Sequence, residues 1–206
     1  MNTNDLRRII SKSIDKENKT KKLFKLIAQT LEPSHQEDCF NFVKNYIQMT
    51  PNLIDIAYNA AQSHGVLQNF QPIFNTIFGY WSEDYDFIPD SNGMIGLCDD
   101  AYLSLCFIQE IASSRIPNTN KPLINLDLRN SNQIMRSLIG EPIATNLDQT
   151  IAQTFSSLTI QNTLATLFSH PALQMGMQNF GGFNSGMSQY EIDREVDIRL
   201  GSMGVV

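Results

Sequence analysis

The chain has 206 residues and 42% of them are apolar, enough for a buried core, which excludes wholesale disorder. No apolar run reaches the roughly 18–20 residues of a bilayer span, and the N-terminus lacks the apolar stretch of a signal peptide, so a soluble cytoplasmic protein is expected. The net charge of −6 hides an asymmetry: residues 1–25 hold eight Lys and Arg against three acids, while the rest holds seven against eighteen.

A basic helical segment is predicted over residues 1–32. Leu6, Ile9, Ile10 and Ile14 recur at helical spacing, and Leu23, Phe24, Leu26, Ile27 and Leu31 repeat the pattern after a polar break at "DKENKT". Arg7, Arg8, Lys12, Lys19, Lys21, Lys22 and Lys25 make this segment strongly basic. A solvated or self-docked helix is the first reading; a polyanion site for nucleic acid or an anionic membrane surface is the alternative.

Pro33 ends that segment, and "SHQE" forms a capping box, Ser34 with Glu37, ahead of a helix that buries Phe40, Val43, Tyr46 and Ile47. Thr50 then caps a new helix, Pro51 suits its first position, and Gly65 suits its left-handed exit. A helix over 66–80 carries Leu67, Phe70, Ile73, Phe74, Ile77 and Phe78 on one side. A strongly apolar helix follows from Leu97 to Ser114, and "LINLDLR" reads as extended loop or short edge pairing. Ser131 is expected to cap a short helix to Ile139, and a longer helix is expected from Leu147 to Phe168.

The core thus spans 33–169, followed by a Gly/Met/Asn-rich linker over 170–188 and a C-terminal helix and tail over 189–206. On that last helix Tyr190, Ile192, Val196 and Leu200 are placed to dock on a partner, or else on the protein's own core. The fold class is all-α: a single helical domain of about seven or eight helices.

Chemistry-bearing motifs are few. Cys39, Cys98 and Cys106 show no CxxC or Cys/His spacing and read as small apolar residues. His35, His64 and His170 are isolated, and none belongs to a triad or an HExxH pattern.

The unusual stretch is "YDFIPDSNGMIGLCDD", Tyr85 to Asp100. Six acids lie between Glu83 and Asp100, no base accompanies them, and apolar residues alternate with them. Pro89 requires the incoming helix to end near Asp86, Asp90 suits an N-cap, and Asp99 and Asp100 fall in the first turn of the next helix. The acids therefore read as caps that hold the corner of a hairpin. The alternative is a hard-cation site in which Asp86, Asp90, Asp99 and Asp100 bind Mg²⁺, Mn²⁺ or Ca²⁺ through oxygen. In an enzyme, that site would hydrolyse through a metal-activated water.

Asp86-Phe87-Ile88-Pro89-Asp90, eight further residues, and Asp99-Asp100 before an apolar helix resemble the signature of the YkvA-like family, a mostly bacterial domain of unknown function. The resemblance covers residues 66–115 and implies a helical hairpin, with no known reaction. Two positions depart from it: Glu83-Asp84 replaces a Ser-Pro pair, and Gly93 stands where a second Pro is usual.

The leading expectation is a non-enzymatic helical interaction or scaffold protein, a subunit of a larger assembly or a homo-oligomer, needing no cofactor. A metal-dependent hydrolase or cation-binding protein built on the aspartate cluster is the alternative, and polyanion binding by residues 1–25 is the third.

Overall fold

The computed structural model describes residues 1–82 and 87–169. Among them are seven α-helices: α1 Thr3–Thr20, α2 Lys22–Thr30, α3 Pro33–Ser63, α4 Leu67–Tyr80, α5 Leu97–Ser113, α6 Arg129–Ile139 and α7 Ile143–Ser169. A short 3-10 segment, Asp90–Ile95, precedes α5 and is interrupted at Gly93 (φ 71, ψ −131). The all-α class holds, and "LINLDLR" is extended loop next to an isolated bridge between Arg115 and Pro122. Met1–Thr159 forms one compact unit; of the second, Ile160–Val206, the described part is the end of α7.

α5 is the centre of the first unit. Fourteen of its 17 residues are buried, so its apolar surface runs all round instead of along one stripe. It packs on α3, α4, α6 and the 3-10 segment, while α1 and α2 pack on α3. A short helix so enclosed derives its stability from tertiary burial more than from propensity.

The N-terminal helices meet at Lys21, which adopts the left-handed conformation (φ 51) and donates its N–H to the Glu17 carbonyl at 2.7 Å. The "DKENKT" stretch is therefore helical to Thr20, and the break comes after it. Glu17 is 3% exposed, and its Oε1 accepts from the N–H groups of Leu23 (2.9 Å) and Phe24 (3.2 Å). One carboxylate from α1 thus caps the positive end of α2.

Several sequence-based boundaries move. The two helices expected on either side of Thr50-Pro51 are one 31-residue helix, α3, with Pro51 inside it. Thr50 is no cap: its hydroxyl donates back to the Tyr46 carbonyl at 3.1 Å. An interior proline costs about 3 kcal/mol, but α3 buries Val43, Tyr46, Ile47, Ile54, Ala57 and Ala61 along its length, which outweighs that cost. Ser34 is also no cap, since the helix opens at Pro33 with Glu32 before it.

α4 ends at Tyr80, where the helix expected over 66–80 stops and before the limit near Asp86 drawn from Pro89, and its last turn is closed by the Ser82 hydroxyl on the Phe78 carbonyl (2.6 Å). Pro89 rather than Asp90 occupies the cap position of the 3-10 segment. α6 begins at Arg129, two residues before Ser131, because Asp127 accepts from Arg129 N (3.1 Å) and Gln109 Oε1 accepts from Leu128 N (2.5 Å). α7 begins at Ile143, four residues earlier than the pattern suggested, with Glu141 Oε2 accepting from Thr145 N at 3.2 Å.

Candidate functional site

The corner between α4 and α5 is built from polar groups turned inward. Asp99 is 0% exposed and Asp100 1%, both in the first turn of α5, where the helix dipole favours negative charge. Asp99 Oδ2 accepts from Ile88 N (3.0 Å) and from the Tyr80 hydroxyl (3.3 Å), tying the chain after α4 to the start of α5. One turn further, Trp81 Nε1 donates to Ser104 Oγ at 2.9 Å, with the indole 4% exposed. Asp86 lies outside the described residues, and Asp90 is described by its backbone alone. Asp99 and Asp100 are thus brought together at one helix start, and among the described residues no group of three His, Cys, Asp or Glu is arranged to hold a metal ion.

A second polar cluster joins α5, α6 and α7 beside a cavity of about 530 Å³. The Tyr102 hydroxyl donates to Asp148 Oδ1 (2.7 Å), and Arg136 Nε donates to Asp148 Oδ2 (2.8 Å). Arg136 also pairs with Glu141 at 2.9 Å. The Tyr46 hydroxyl donates to Asn132 Oδ1 (2.8 Å) in the buried wall. Burial, then the bond to Asp148, pushes the Tyr102 phenol well above its ordinary range. Burial pushes the Cys106 thiol up to about 12. The bonds of Asp148 to Tyr102 and Arg136 make the cluster a clasp between three helices.

The third feature is an apolar groove of about 280 Å³. Leu23, Leu26, Ile27 and Thr30 of α2 form one wall, and Leu138 and Ile139 of α6 the other. Cys39 and Val43 of α3, Cys98 of α5 and Met135 of α6 form the floor. No charged side chain lines it. Leu26 is 46% exposed and Leu138 44%, while Ile134, one turn before Leu138, is 49% exposed. Leu26 and Leu138 line the groove from α2 and α6, and Ile134 continues the exposed apolar face of α6. Exposed apolar area gathered in one place is the informative departure from an ordinary surface.

The expected core pattern of α2 is corrected here. Leu23 and Ile27 enter the core, and Phe24 packs edge-on against Phe40 (5.8 Å between centroids). Leu26 and Leu31 stay outside. The available signal was that α2 has more apolar residues than one helical face holds.

The basic segment divides. Arg7 is absorbed by the body, bonded to Asp55 (2.6 Å) and Asn52 (2.9 Å), and Arg8 pairs with Asp5 at 3.4 Å. Lys12, Lys19, Lys21, Lys22 and Lys25 are exposed and form no ion pair among the described residues. His35 and His64 are exposed. The proposed partner-facing residues Tyr190, Ile192, Val196 and Leu200, the linker 170–188 and His170 lie outside the described residues. No described helix is long and apolar enough to cross a membrane. No protein-family model, curated protein or solved structure matches the chain.

Proposed function

We propose that this protein works by binding: it is a helical interaction module, a component of a larger assembly, and its contact surface is the groove between α2 and α6. The observation that carries this reading is the apolar cleft of about 280 Å³ lined by the half-exposed Leu26 and Leu138. A cavity of about 150 Å³ accepts a benzene ring, so this cleft has room for about two apolar side chains from a partner.

The YkvA-like reading of residues 66–115 is supported by the packing of α4 on α5 and by Asp99 standing at the joint between them. It supplies a hairpin for the module and no reaction.

The test is affinity purification of the full tagged chain from its native host, beside a Leu26→Asp/Leu138→Asp chain. The proposal expects proteins recovered with the wild type to be missing with the variant, while both chains give the same helical circular dichroism. Identical sets from both chains, or a wild type that elutes alone as a monomer, would overturn it.

A further inference from the structure

The groove has a charged edge on one side only. From Lys19 to Leu31 the chain holds Lys19, Lys21, Lys22 and Lys25 and no acid; the first acid is Glu32. All four lysines are exposed, and none forms an ion pair among the described residues. Lys22 stands one helical turn before Leu26 on the same face of α2, and Lys25 is its neighbour in sequence. The facing helix α6 holds no acid to balance this charge. Its two cations are already occupied, Arg129 by Asp127 (2.7 Å) and Arg136 by Asp148 (2.8 Å) and Glu141 (2.9 Å).

We infer that the occupant of the groove is an amphipathic helix of a protein partner, with two apolar side chains one turn apart seated between Leu26 and Leu138 and an acidic flank lying along Lys22 and Lys25. The inference rests on the binding role proposed above and names its partner. Three observations carry it together. The apolar surface is concave and bounded by two helices, which suits a third helix laid between them; a lipid surface is met by a convex apolar stripe. The floor includes Met135 and Cys98, whose sulfur-bearing side chains adapt to an incoming shape. The lysine edge lies beside the groove and its cations form no ion pair among the described residues, so an acidic flank gains attraction there.

The basic segment and the apolar groove thereby become one site. The lysines would steer the approach and fix which way round the helix lies, while the apolar side chains would set how long it stays.

The experiment uses the full chain and two labelled synthetic helices of about 18 residues with the same leucine face, one with glutamates on both flanks and one with lysines. Fluorescence anisotropy at about 0.15 M salt should show the glutamate peptide binding at least about tenfold more tightly than the lysine peptide. Lys22→Glu/Lys25→Glu should abolish or reverse that preference, and Leu138→Asp should weaken both peptides by about tenfold or more.

Equal affinity for the two peptides, still lost in Leu138→Asp, would sink the acidic partner and leave the groove reading standing. Binding of neither peptide up to millimolar concentration would sink both. Phosphatidylserine vesicles or a DNA duplex bound as tightly as the glutamate peptide, with Leu138→Asp no weaker, would overturn the inference in favour of a polyanion surface.

Discussion

The α4–α5 corner and the α2–α6 groove share a neighbour, Cys98, and reverse each other's chemistry. At the corner, Asp99, Asp100, the Trp81 indole and Ser104 are inside, and the bonds among Tyr80, Ile88 and Asp99 hold two helices at a fixed joint. At the groove, leucine and isoleucine side chains stand half in water. Buried polar groups that have found hydrogen bonds, as Asp99 Oδ2 and the Trp81 indole have, act structurally. An apolar cluster left outside contributes little to the stability of the isolated chain, and such a patch is what the proposed binding role rests on. Among the described acids of that stretch, Asp99 is therefore read as architecture, and a set of ordinary leucines as the candidate site.

That contrast breaks first at Trp81. Trp81→Ala removes a buried indole and strands the Ser104 hydroxyl, so urea unfolding should show a loss of about 3–5 kcal/mol. A loss below about 1 kcal/mol would mean the corner is not a structural joint.

The next effect is a pH dependence. Burial, with the Asp99 and Asp100 charges adding to it, pushes the Cys98 thiol up to about 12 from an unfolded value near 9. In the folded chain the proton stays on, while above about pH 9 the unfolded chain releases it. The stabilisation is whole below pH 9 and is lost as pH rises from about 9 to about 12. Denaturation of Cys98→Ala across this range should show a shallower fall than wild type. Parallel curves would remove Cys98 as a cause.

Asp99→Ala takes the acceptor from the Ile88 N–H and the Tyr80 hydroxyl and should cost about 2 kcal/mol. A gain in stability would reverse the comparison, since a carboxylate kept at a stability cost belongs to a functional site. Glu17→Ala, which uncaps α2 without touching the groove wall, should cost about 1 kcal/mol in the same assay. Smallest of all, Leu26→Asp and Leu138→Asp should each change stability by no more than about 0.5 kcal/mol. A larger loss would show that these leucines belong to the core and that the groove is closed in solution.

Much of the fold was legible along the chain. The apolar spacing of Leu6 and Ile10, of Ile73 and Ile77, and of the run from Leu97 to Ala112 identified helices that the structure contains, because helical periodicity is a local property. The first-turn position of Asp99 and Asp100 followed from Pro89 and the glycines before them. Boundaries failed where a distant partner replaced the local signal. Pro51 sits inside α3 because burial of that helix outweighs one missing hydrogen bond, and α6 starts early because Gln109, on another helix, accepts from Leu128 N.

By itself the sequence determined the all-α class, the helix-forming segments and the charge imbalance of the first 25 residues. Only the tertiary structure decided which of two equally apolar residues on α2 goes inside. Leu23 is 5% exposed and belongs to the core, while Leu26, three residues on, is 46% exposed at the groove. The physical reason is that periodicity fixes which residues share a face, whereas packing against other helices fixes which face is covered.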